Sequence, residues 1–262
     1  QIMNALGILM LYNEIVEHPE RTYSPRTFIF GAKAAPGYHR AKLTIKLINA
    51  VADLVAKDPV ASKYINVVFL EKYCLSQAEV LMPATEVSQQ ISTAGKEGSG
   101  TGNMKFMMNG AVTVGTMDGA NCEIYDAVGA ENIYIFGLYA DQVAQGYSSY
   151  RASEIYETNG AIRKVMEQLI DGTLCPENPR MFQEIYHALL FGDNGGMADP
   201  YFVLKDLAHY AVTQKKVASD YRNRDAWLRK AVINTASSGC FSSDRTITEY
   251  NDNIWHLKPL EL

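Results

Sequence analysis

The 262-residue chain is 47% hydrophobic, enough to bury the core of one large domain or two small ones. Its net charge of −5, with both signs scattered, provides neither a basic stripe for a phosphate backbone nor a polybasic run for an anionic membrane. Nucleic acid and lipid are therefore excluded as expected partners. Cys74, Cys122, Cys175 and Cys240 lie far apart, with no CxxC pair and no histidines at metal-ligand spacing, so the expectation is reduced core thiols in a cytoplasmic protein and no metal.

The stretch from Ile2 to Ile15 is apolar like a secretory leader but lacks a basic start and a small-residue cleavage site. Ile2, Leu6, Leu9 and Ile15 instead suit one helix face, and a chain opening at Gln1 in mid-helix is expected to be a fragment. Thr27 to Gly31 reads as a strand, and Leu43, Ile45, Leu47, Val51 and Leu54 mark the helix after it. Pro36 is expected in that helix's first turn, and Lys33 at the junction is read as structural. Ile65 to Leu70 is a second strand and Val80 to Pro83 a shorter third. After a glycine-rich stretch come a short helix, a strand at Val112 to Val114, a turn at Asp118-Gly119, another short helix, and a strand at Ile133 to Phe136. From about Gln142 onward only helical spacing appears, at Ile162 to Leu169, Met181 to Leu190, Phe202 to Val217 and Trp227 to Ala236. The pattern predicts an α/β fold: a Rossmann-like parallel sheet with helices on both faces over residues 1–140, and a mainly helical C-terminal extension over 141–262. Ligands of such sheets bind beyond the C-terminal strand ends, where the glycine-rich loop falls.

That loop runs Gly95-Lys96-Glu97-Gly98-Ser99-Gly100-Thr101-Gly102-Asn103-Met104-Lys105. Glycines let the backbone approach a ligand, and successive N–H groups entering a helix form an anion site. The lysine comes three residues after the last glycine and precedes Phe106, so the nucleotide P-loop spacing fails; the dinucleotide fingerprint fails because Asn103 occupies its third glycine position. In the first helical turn, partly buried, Lys105 would be biased toward the neutral amine that attacks an aldehyde. A phosphate cradle beside such a lysine suits pyridoxal 5′-phosphate. The residues alone leave open a tight strand–helix connection with a solvated lysine.

The run from Gln90 through Lys105, with Asn109-Gly110-Ala111 and Met117-Asp118-Gly119-Ala120-Asn121, resembles the pyridoxal phosphate signature of the α-glucan (glycogen and maltodextrin) phosphorylases. The resemblance extends from Gly31-Ala32-Lys33-Ala34-Ala35-Pro36-Gly37-Tyr38 to Phe241-Ser242-Ser243-Asp244-Arg245-Thr246-Ile247 and Ile254-Trp255, nearly the whole chain. Gly98 departs from the alanine of many members. The resemblance implies the C-terminal, cofactor-binding domain of a two-domain GT-B glycosyltransferase architecture, without the N-terminal domain. It implies that Lys105 holds the cofactor, that Thr101 and Gly102 contact its phosphate, that Asn103 belongs to the cofactor site, and that Tyr73, Ala78 and Gln90 line its ring. Glu97, Ser99 and Gly100 then hold the glucosyl unit, for which a carboxylate is a strong acceptor. The implied reaction is reversible phosphorolysis of an α-1,4-glucan by inorganic phosphate to glucose 1-phosphate, in a parent enzyme that is a homodimer. Lacking the basic segment the family carries upstream, the chain alone is expected to be inactive.

Two rivals remain. A nucleotide-sugar glycosyltransferase of the same architecture carries two glutamates separated by seven residues; Glu71 and Glu79 have that spacing but no glycine loop before them, whereas Glu97 is followed at the second position by Lys105. A non-catalytic carbohydrate-binding scaffold is the other. Tyr250, Ile254 and Trp255 read most simply as a packed helix, the alternative being a face left uncovered for another domain.

Overall fold

The computed structural model describes residues 1–193, 195–258 and 260. Strands and helices alternate through its first half: α1 (Ile2–Glu17), β1 (Arg26–Gly31), α2 (His39–Lys57), β2 (Ile65–Leu70), α3 (Leu75–Ala84), β3 (Val87–Gln90), α4 (Gly102–Met108), β4 (Val112–Gly115), α5 (Asn121–Val128) and β5 (Tyr134–Ile135). The second half is helical: α6 (Ala140–Gly146), α7 (Ala152–Thr158), α8 (Gly160–Glu167), α9 (Gln183–Leu190), α10 (Val203–Asp220), α11 (Arg224–Ser237) and α12 (Ser243–Tyr250), closed by a π turn over Asn251–Trp255. Every strand pairing is parallel, and the architecture is a Rossmann-like α/β domain.

The expected single sheet is instead two among the described residues, β1-β2 and β3-β4-β5. β1 pairs β2 from Arg26↔Ile65 to Gly31↔Leu70, and β3 pairs β4 from Val87↔Val112 to Gln90↔Gly115. The edges of β1 and β3 are not bonded to each other because a cavity lies between them. All four residues of β4 are buried, as a strand covered on both faces requires. In β1 only Phe28 and Phe30 are buried, while Thr27, Ile29 and Gly31 are exposed.

Leu6, Leu9 and Ile15 of α1 are fully buried, and with Ile8, Met3 and Ala5 they cover more than the one face expected. They join Leu47 and Val51 of α2, Val165 of α8, and Leu204 and Leu207 of α10 in one core. Each large aliphatic side chain so buried contributes about 2 kcal/mol. At the back of α1, the Asn13 and Gln168 amides exchange two buried hydrogen bonds of 2.8 and 2.9 Å, tying α1 to the residue after α8.

Four expectations are corrected. Val80 to Pro83 is not a strand but the end of α3; Ala78 is buried at a helical position while Val80 is exposed, and a proline in the last turn removes only one backbone bond. The strand of this region is β3, whose Val-Ser-Gln-Gln sequence has little strand character and is held by its β4 partner. Pro36 lies in a turn ahead of the Tyr38 N-cap of α2, not within the helix. The cysteines are free, but only Cys175 is buried and Cys74 is exposed.

The C-terminal pattern is not a packed helix either: Ile247, Tyr250, Ile254 and Trp255 are all exposed. No helix among the described residues is long and apolar enough to cross a membrane.

Candidate functional site

The glycine-rich segment leaves the C-terminal end of β3 at Gln90 and enters α4 at Gly102. Its start is anchored on the helical half: the Thr93 hydroxyl donates to Tyr201 O at 2.7 Å, and Ala94 is buried against Val143 and Phe202. Lys96 places its ammonium 5.2 Å from the Tyr147 ring, and its interaction with the Tyr147 side chain raises its pKa.

The turn between β4 and α5 fixes the loop's middle. One carboxylate oxygen of Asp118 accepts the Gly95 N–H at 2.9 Å; the other accepts the Glu97 N–H at 2.9 Å, the Lys96 N–H at 3.3 Å and the Ser92 hydroxyl at 3.0 Å. Asp118 is buried, so these charge-assisted bonds are what compensate its desolvation. Gly119, at φ +51, lets the loop lie on the turn: a Cβ there would sit 2.5 Å from Ser99 O and 3.2 Å from the Glu97 Cγ. The Ala120 N–H donates to that same Ser99 O at 2.7 Å. Below the loop, the Asn103 amide bonds Ser99 O and Asn121 Oδ1, and Asn121 in turn donates to Gln90 O and Thr116 O.

The loop's inner side is thus saturated and its outer side is open. Among the described residues no partner is found for the backbone N–H groups of Gly98 through Asn103, whereas Met104 N–H is satisfied by the Asn103 side chain and Lys105 N–H by Thr101 O. A Cβ at Gly98 would meet nothing within 4 Å, and one at Gly102 would meet only Gln90 Nε2 at 3.9 Å. Unpaired amides over open space at a helix entrance can take an anion.

Lys105 is the fourth residue of α4 and is exposed, so the expected first-turn, partly buried position is not met. Its ammonium makes no ion pair among the described residues. Glu97, Ser99 and Thr101 are exposed, Gly100 and Gly102 half-exposed. Asn103 is buried with its side chain committed to the loop, leaving only its N–H to a ligand. Gln90, half-buried, turns its amide to the Ser88 hydroxyl at 2.9 Å. Ala78 is buried on α3. Tyr73 stands across the cavity, packed so closely on Gly31 that a Cβ there would come within 2.6 Å of its ring. Lys33, read as structural, lines that cavity as well. Glu71 and Glu79, of the rival spacing, are exposed.

The residues missed by sequence reading are the supports: Asp118, Asn121, Ser92 and Thr116. The available signal was an acid and an amide bracketing a glycine in an otherwise apolar stretch. Among the described residues no group of three or more His, Cys, Asp or Glu could hold a metal ion.

A Rossmann-like domain with a glycine-rich loop at the C-terminal end of a parallel strand defines a protein of the doubly wound α/β class. The family model for carbohydrate phosphorylase matches residues 1–257, and the chain belongs to that family. It is 50% identical over 262 residues to glycogen phosphorylase of Bacillus subtilis, matching 99% of this chain and 32% of that protein. It is 46% identical over 263 residues to the liver form of Homo sapiens, matching 100% of this chain and 30% of the relative. To the muscle form of Bos taurus it is 45% identical over 260 residues, again 30% of the relative. The chain thus spans about a third of the length of these relatives.

Proposed function

We propose that this chain is the cofactor-carrying C-terminal part of a 1,4-α-glucan phosphorylase, with residues 1–140 as its α/β core and 141–262 as a helical extension. The longer enzyme would be a cytoplasmic homodimer that cleaves terminal α-1,4-glucosyl units with inorganic phosphate to give glucose 1-phosphate. The observation that carries this reading is the row of amides from Gly98 to Asn103, without partners among the described residues, opening outward just before Lys105, which makes no ion pair among them.

The residues present fit pyridoxal 5′-phosphate. Lys105 would tether its aldehyde carbon, the backbone N–H groups of Thr101, Gly102 and Asn103 would donate to its phosphate oxygens, and Tyr73, Ala78 and Gln90 would border its ring. When bound, the cofactor supplies a phosphate monoester whose second pKa of about 6 suits proton exchange with inorganic phosphate at neutral pH. The chain's own part is to position. Asp118 holds the backbone of Glu97, which orients that carboxylate toward sugar hydroxyls, with Ser99 and the Gly100 amide beside it. Lysine in the eighth position after Glu97 favours this cofactor over a nucleotide-sugar donor.

The chain alone is proposed to be inactive, because two clustered phosphates need more cationic support than the exposed Lys105 and loop amides supply. Addition of pyridoxal 5′-phosphate followed by borohydride and proteolysis tests the site. The expected result is an adduct on the peptide bearing Lys105, abolished by Lys105→Ala; no adduct, or one on Lys96 instead, would overturn it.

A further inference from the structure

A second cavity, of about 520 Å³, opens where α1 meets α10, and no residue of the glycine loop lines it. The two helices meet there on small residues. Gly7 of α1 lies so close to Tyr210 of α10 that a Cβ would come within 2.5 Å of the ring. With Leu11 on one side and Ala211 on the other, this makes an apolar floor.

Arg26, the first residue of β1, reaches the same cavity. Its guanidinium donates to Gln214 Oε1 at 3.1 Å and to Gln214 O at 3.4 Å, and lies 5.8 Å from the centre of the Phe28 ring. Both acceptors are neutral, and Arg26 makes no ion pair among the described residues. Burial pushes its pKa down, as it does for a cation removed from water without a counter-charge. Gln214 takes one N–H from each terminal nitrogen. The second N–H of both, and that of Nε, are without partners among the described residues.

The surrounding charges have the same sign. Arg21, Arg26, Lys164 and Lys215 line the cavity against only Glu14 and Glu17, in a chain whose net charge is −5. Both acids are already engaged, Glu14 with Lys215 at 2.7 Å and with Arg21 at 3.9 Å, and Glu17 with Lys164. The deepest cation is therefore the one whose charge is unanswered.

We propose that this cavity binds a small organic anion, whose carboxylate or phosphate oxygens take the remaining donors of Arg26 and whose apolar body lies along Gly7, Leu11 and Ala211. A guanidinium presents its donors as a planar fork that matches two oxygens of either group, and such charge-assisted bonds are about twice as strong as those to neutral acceptors. The volume falls within the roughly 300–1,000 Å³ of small-molecule sites. The site is distinct from the glycine loop, goes beyond the proposed function and stands if that reading fails.

Chemical-shift mapping of the 15N-labelled chain tests it, with phenyl phosphate, benzoate and inorganic phosphate titrated separately. Saturable shifts are expected at the Arg26 Nε–H and at the amides of Gly7, Leu11 and Ala211. An aryl ligand should saturate at lower concentration than inorganic phosphate, which has no apolar body to bury; which of the two aryl ligands binds more tightly assigns the headgroup. Arg26→Met, which keeps the apolar stem, is expected to weaken binding by about 10-fold or more. Ala211→Leu fills the floor without touching Arg26 and is expected to weaken the aryl ligand similarly, so the test does not depend on the Arg26 variant folding. Arg26 also lines the larger cavity, so shifts confined to Thr27 and Val87 on that side would overturn the proposal. So would shifts confined to Gly98 through Asn103, binding unchanged in both variants, or no saturable shift with any of the three ligands.

Discussion

The carboxylate of Asp118 holds the backbone nitrogen of Glu97 at 2.9 Å, across 21 residues of sequence. A buried acid thus sets the conformation of a loop whose Lys96, Glu97 and Ser99 side chains are exposed. Its removal is expected to cost more than one hydrogen bond, since three loop amides and the Ser92 hydroxyl share it. Asp118→Ala should lower unfolding stability by about 2–3 kcal/mol and accelerate amide exchange at Gly95, Lys96 and Glu97. Unchanged exchange at those three positions would show that the loop holds itself.

Two glycines of the same region should respond in opposite ways to alanine. At Gly119 the positive φ and the Ser99 carbonyl 2.5 Å from a Cβ predict a loss of about 2 kcal/mol or more. At Gly98, where a Cβ meets nothing, the change should stay within about 0.5 kcal/mol. Urea unfolding of the two variants checks the pair, and equal effects would contradict the geometry.

Asp206 gives the fold a pH dependence. It is buried against Gly137 and accepts the Leu138 N–H at 3.0 Å, and burial pushes its pKa up to about 6 from an ordinary 3.8. A carboxyl whose folded pKa is raised favours the native state while protonated, so stability falls as pH rises from about 4 to 6 and is level above. Buried Asp199, whose carboxylate accepts the N–H groups of Val203 and Leu204 and the Tyr150 hydroxyl, is raised by burial too and adds to that slope. Asp206→Asn, which keeps an acceptor for Leu138, should flatten the slope and gain on the order of 1–3 kcal/mol at pH 7. Thermal melts between pH 4 and 8 would read it; a steeper slope in the variant would exclude Asp206 as its source.

The two tryptophans should separate in fluorescence. Trp227 is buried, stacks on Tyr134 and donates its indole N–H to Glu86 at 2.8 Å. Trp255 is half exposed beside Tyr250 in the uncovered C-terminal turn. Acrylamide should quench Trp227→Phe, which retains Trp255, several-fold more strongly than Trp255→Phe. Equal quenching would mean that the C-terminal face is covered in solution.

What the amino-acid sequence determined by itself is the local part of this protein. Apolar runs and 3.6-residue spacing located β1, β2, β4 and most helices, because those elements are stabilised by residues within a turn or two of one another. The glycine loop and Lys105 were legible for the same reason, as neighbours along the chain. Tertiary structure alone decided what depends on distant partners. β3 is a strand only because β4 lies beside it, and Val80 to Pro83 is helical because Ala78 faces the core. Asp118 became the loop's anchor only when the β4 turn folded under Gly95, a contact between residues 23 apart that no local period encodes. The same physics explains the exposed Lys105 and the open edges of β1 and β3: burial and pairing are properties of what lies opposite a residue, not of the residues next to it.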